Sequence, residues 1–152
     1  MNPEAILSTV QHYADRGIFR RVNNRPDGRG VGFTWMFDAF PLMLVWNTKA
    51  KTIQFKDVLT GVEAKSQFQT ELKAFLNGLF DERLPEHRRL DPEKVSLTTA
   101  RRDGAFSIGL KLIAANEDYA VRRLINLIHE MFLYLRLRWP EYMYEHFNLP
   151  EE

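Results

Sequence analysis

The chain has 152 residues, 45% hydrophobic and 27% charged, a composition that fits one globular domain and excludes wholesale disorder. Twenty-one basic and 20 acidic side chains leave a net charge of +1, which argues against a dedicated nucleic-acid binder. With no cysteine, disulfides, thiolate metal sites and a cysteine nucleophile are excluded too.

In chain order, Asn2-Pro3-Glu4 opens a helix: an N-cap residue, proline at the first helical position and an acid in the first turn. Ile6, Leu7, Val10 and Tyr13 or Ala14 form its apolar stripe, and Gly17 is placed to end it. Ile18–Val22 is predicted as a short strand, followed by NNRPDGRG (residues 23–30), which is dense in turn residues. In VGFTWMF, Phe33, Trp35 and Phe37 alternate with Thr34 and Met36, which predicts a strand with one strongly aromatic face. After Pro41, LMLVW reads as a central strand. Asn47 to Lys51 then turns the chain into TIQFK, so residues 42–56 are predicted as a β-hairpin.

Phe68, Leu72, Phe75, Leu76 and Leu79 keep helical spacing and predict a second helix over about 64–80. Val95, Leu97 and Thr99 lead through a turn at Asp103-Gly104 into Phe106, Ile108, Leu110 and Leu112, a second hairpin. From about Asp118, Val121, Leu124, Ile125, Ile128, Met131, Phe132 and Leu135 hold one face of a long helix. Pro140 breaks or restarts it, and residues 141–147 are predicted as a shorter, aromatic-rich helix. Strands joined by hairpins predict an α+β domain spanning 1–152. Its antiparallel sheet has about five or six strands with three main helices beside it, in the order α-β-β-β(-β)-α-β-β-α.

The residues that carry chemistry are sparse. His12, His87, His129 and His146 include no pair spaced three or four apart, and His129-Glu130 lacks the second histidine of H-E-x-x-H. No metal is expected. None of Ser8, Ser66, Ser96 and Ser107 sits in G-x-S-x-G, and Ser107 is expected on the polar side of its hairpin. Gly28, Gly30 and Gly32 fall short of the dinucleotide fingerprint, because Phe33 stands where its third glycine belongs and the segment feeds a strand. No cofactor is expected and no catalytic residue is assigned. An enzyme would need His87 or His129 beside a carboxylate in a buried pocket.

Arginine outnumbers lysine 14 to 7, which suits bidentate carboxylate or phosphate contacts. Arg20, Arg21, Arg25 and Arg29 make one locally basic segment, and Arg88 and Arg89 lie in LPEHRRLDPEK (residues 84–94). All six are candidate anion contacts; internal ion pairs and a solvated basic loop are the plainer readings. In LPEHRRLDPEK, Arg89 stands where a kinase catalytic loop needs aspartate. There Glu86, Asp91 and Glu93 balance Arg88, Arg89 and Lys94, so the stretch reads as a connector, with a ligand or partner contact as the alternative.

Leu127, Leu133 and Leu137 widen the apolar face of the long helix beyond the roughly 100° stripe that one contact needs. Trp139 and Tyr142 add amphipathic rings of the interface type. The surplus is covered either by other helices or by a second subunit. Phe33, Trp35, Phe37, Leu127, Leu133, Leu137, Trp139 and Tyr142 are therefore the candidate partner or dimer surface, and an open sheet edge is a further place for a partner strand.

With residues 2–17, 64–80 and 118–138 as its helices, the order of elements resembles that of type III secretion chaperones and the related YbjN-like proteins. The resemblance implies a non-catalytic, dimeric protein that binds extended protein segments, and it carries over no individual residue. The N-terminus lacks a basic start and an uninterrupted apolar run, and no stretch approaches a membrane span of roughly 18 apolar residues. The expectation is a cytoplasmic, bacterial homodimer that binds another protein. Its rival is a binding module for an anionic small molecule or RNA, with nucleic acid disfavoured by the charge balance.

Overall fold

The computed structural model describes residues 1–149. A helix α1 (Pro3–Asp15) precedes four strands, β1 (Arg20–Asn24), β2 (Gly30–Thr34), β3 (Leu42–Asn47) and β4 (Thr52–Leu59). Helix α2 (Gln67–Asn77), continued by a 3-10 turn at Gly78–Phe80, leads to β5 (Val95–Arg102) and β6 (Ala105–Leu112). Helices α3 (Glu117–Arg138) and α4 (Pro140–Phe147) complete the order. The strands form one antiparallel sheet in the order β1-β2-β3-β4-β6-β5. The α+β class and the strand order along the chain are as expected; the helices number four rather than three.

Side-chain alternation divides the sheet into two faces. Val31, Phe33, Leu42, Leu44, Ile53, Phe55, Ile108 and Leu110 are buried and point to the helices. The other face carries small and polar residues, with Val45, Gln54, Gly109 and Thr98 in one row across four strands. A sheet packed on one side and wet on the other is a common antiparallel solution.

α3 lies at the centre of the helical layer, burying nine residues from Ala120 to Leu135. Its apolar surplus is covered from within the chain. α1 attaches at one end, where Thr9 Oγ1 donates to Asp118 Oδ1 at 2.7 Å. α2 attaches near the other, with Phe75 stacked on Tyr134 and Arg138 Nε donating to Glu71 Oε1 at 3.1 Å. α4 folds back after Pro140 and sets Phe147 against Phe37, Phe40 and Phe132.

Two strands carry bulges that the sequence pattern does not disclose. The β1–β2 register shifts between Arg20 and Asn23, with Arg21 at φ 54°. The β4–β6 register shifts between Phe55 and Leu59, with Asp57 at φ 51° and its N–H donating to Ser107 Oγ at 2.8 Å. The aromatic strand also ends earlier than its alternation predicts. β2 stops at Thr34 and Met36 takes φ 65°, so Phe37 leaves the sheet and packs on the helices.

Candidate functional site

The candidate partner surface is mostly interior. Phe33, Trp35, Leu127 and Tyr142 are buried within the chain and offer no area to another protein. The physical reason is aromatic stacking: Phe33 lies 4.0 Å from Phe19, centroid to centroid, and Phe19 also meets Trp35 edge-on. Phe37 and Trp139 are half-buried. Only Leu133 and Leu137 stand clear, at 45% and 88% exposure, with Tyr144 from α4 at 55%.

The arginines divide as well. Arg20 bonds Asp38, Arg25 bonds Asp27 at 2.9 Å, and Arg88 forms a bidentate pair with Glu130. Arg89 donates to the Glu82 carbonyl. Arg21 and Arg29 are exposed and form no ion pair among the described residues. The loop 84–94 is thereby tied to the body of the protein: Arg88 holds it to α3, Leu90 is buried, and the Asp91 N–H donates to Tyr119 Oη. His87 and His129 are both exposed, and no group of three or more His, Cys, Asp or Glu side chains that could hold a metal ion occurs among the described residues. Among those residues no helix is long and apolar enough to cross a membrane.

The two sheet edges differ. β1 is short, arginine-rich and bulged, all features that discourage strand pairing. β5 pairs with β6 through eight consecutive residues, Val95↔Leu112 to Arg102↔Ala105, with no bulge. Its sequence, VSLTTARR, has no proline and no charge before Arg101. The Lys94 carbonyl accepts from the Ile113 N–H, and the Leu112 N–H turns the other way to Lys51. Alternation along an antiparallel ladder therefore turns the N–H and C=O groups of Leu97, Thr99 and Arg101 outward. No described residue hydrogen-bonds to them. Sequence reading anticipated an open edge but not which strand would form it, because edge position is a property of topology.

Beside the β5–β6 turn, Arg101 Nε donates to the Val62 carbonyl at 2.6 Å, and the Val62 N–H donates to Gly104. This fixes one wall of a cleft of about 460 Å³ between Gly61, Glu63, Phe68, Trp139 and α4. There Tyr142 is sandwiched between Phe68 and His146, each ring 4.4 Å away, and its hydroxyl donates to the Thr60 carbonyl. Burial pushes the Tyr142 phenol above its ordinary range. Gly61, at φ +65°, leaves no room for a Cβ beside the His146 ring.

Elsewhere, hydrogen bonds from Arg83 hold the Asp81 carboxyl down at about 2. Asp118 is lowered despite the opposing effect of burial, because Thr9 and Arg122 donate to it. Compared with protein-family models, with curated proteins and with solved structures, the chain matches none.

Proposed function

We propose that this protein is a non-catalytic interaction module whose β5 edge accepts an extended strand from a partner. The observation that carries the reading is the row of outward, unpartnered backbone groups at Leu97, Thr99 and Arg101 on a regular eight-residue edge. Main-chain hydrogen bonds along such an edge supply affinity, and the flanking side chains supply selectivity. In its simplest form the partner strand is β5 of a second copy, paired antiparallel about a twofold axis to give a homodimer. The order-of-elements resemblance to secretion chaperones favours the same kind of partner, an extended protein segment in the bacterial cytoplasm.

Thr99→Pro tests this directly. The Thr99 N–H points away from β6, so proline removes a donor that the fold itself does not use, and edge strands tolerate it. Light scattering on the purified protein is expected to give a dimer indifferent to salt, and a folded monomer for Thr99→Pro. A wild-type protein that stays monomeric at high concentration sinks the homodimer. A dimer that survives Thr99→Pro sinks the edge.

A further inference from the structure

Among the described residues three polar side chains are buried, and two of them are hydrogen-bonded. The Thr9 hydroxyl bonds the Ala5 carbonyl and Asp118, and the Ser107 hydroxyl accepts from the Asp57 N–H. Thr34, at 3% exposure, makes no side-chain hydrogen bond among the described residues. Its hydroxyl is not sealed off in the way that Glu71 Oε2, Arg123 Nε and Trp139 Nε1 are, the described buried side-chain atoms left without a partner, so it keeps an accessible face. Thr34 lines a cavity of about 530 Å³ at the β1 end of the open sheet face, together with Arg21, Asn23, Gly32, Asp38 and Met43.

The rest of that cavity has one uncommitted charge and an apolar floor. Arg21 sits on the β1 bulge at φ 54°, a backbone setting uncommon for a residue with a Cβ and one that re-aims a side chain out of strand alternation. Arg25 also borders the cavity but is paired with Asp27, and Asp38 on the same wall is paired with Arg20. The Met43 methyl lies over Gly32, 3.2 Å from where a Cβ would stand, and Pro26 and Pro41 also line the cavity. A single free guanidinium suits one negative charge, and Asp38 disfavours a second. The floor suits hydrocarbon rather than water.

We propose that this cavity binds a small carboxylate with an apolar body, the carboxylate held by Arg21 and by the hydroxyl of Thr34. The site lies at the opposite end of the sheet from β5 and does not depend on the strand-pairing reading.

Isotope-labelled protein titrated with octanoate, octanol or inorganic phosphate provides the test, read by NMR at the Gly32 and Thr34 amides and the Met43 methyl. Octanoate is expected to move all three signals, octanol to bind roughly tenfold more weakly for want of the charge-assisted bond, and phosphate alone to leave them in place. Arg21→Gln should bring octanoate down to the level of octanol, Arg21→Lys should retain most of the affinity, and Thr34→Val should weaken it. Thr99→Pro should bind octanoate as the wild type does, which separates failure here from failure at the edge. Signals unmoved by millimolar octanoate, an unchanged affinity in Arg21→Gln, or an equal response to phosphate would each overturn the proposal.

Discussion

The Tyr142 hydroxyl is enclosed by its neighbours and commits its proton to the Thr60 carbonyl, so the fold binds the neutral phenol and rejects the phenolate. A group whose pKa is raised by folding contributes stability below its unfolded value, 10.0 for tyrosine, and that contribution disappears as pH rises towards the folded value. Tyr142→Phe is therefore expected to lose about 1 kcal/mol at neutral pH, the worth of one such hydrogen bond. The variant should also be less sensitive than the wild type between pH 9 and 11. Urea unfolding across that range checks both, and parallel pH curves for the two proteins would refute the assignment. The ion pairs show which residue-level contacts a sequence discloses. Arg25–Asp27, Arg83–Asp81 and Arg122–Asp118 are two or four residues apart, within reach of any reading by spacing. Arg20–Asp38 and Arg88–Glu130 join residues 18 and 42 apart, which only the folded chain brings together. That is why Arg20 and Arg88 looked unpaired in the sequence and are not.

At the scale of elements, the strongly periodic segments were legible. The long helix, the turn at Asp103-Gly104 and both predicted hairpins follow from spacing and turn chemistry. The bulges at Arg21 and Asp57 and the early end of β2 before Met36 were not, because these three residues adopt positive φ without glycine to announce it. The bulge at Asp57 also explains why Ser107 is buried on the face expected to be polar: its hydroxyl serves the Asp57 N–H. Gly109 illustrates the opposite case, a residue whose small size is required inside a regular strand. It pairs with Gln54, and a Cβ there would meet the Ile53 carbonyl and lie 2.8 Å from the Gln54 Cα, both backbone. Gly109→Ala cannot be relieved by a rotamer change, so β4 and β6 must separate locally. A loss of about 2–3 kcal/mol is expected, as for other overpacked cores. Chemical denaturation would measure it, and a change below about 0.5 kcal/mol, the range of unremarkable surface substitutions, would mean that the strands part more easily than this packing implies.

For the whole molecule, the question is which surface another chain would use. The apolar surplus of α3 pointed to a helical interface, yet α4 and the residues after β2 close over most of it, a fold-back that periodicity in α3 alone does not encode. What remains is a small patch at Leu133 and Leu137. Two exposed leucines are too little for a standard interface, which buries about 800 Å² on each partner. The β5 edge, by contrast, offers directed hydrogen bonds along its length. These alternatives predict opposite outcomes for Leu137→Lys. Leu137 is 88% exposed, so lysine there should change monomer stability by no more than about 0.5 kcal/mol. If association runs through β5, the dimer constant measured by sedimentation should be unchanged in Leu137→Lys and abolished in Thr99→Pro. If it runs through α3, the pattern inverts, because two lysines would be forced together across a twofold axis while the edge variant would associate normally. Loss of the dimer in both variants would place both surfaces in one continuous interface, with the partner strand on β5 carrying a helix onto the end of α3.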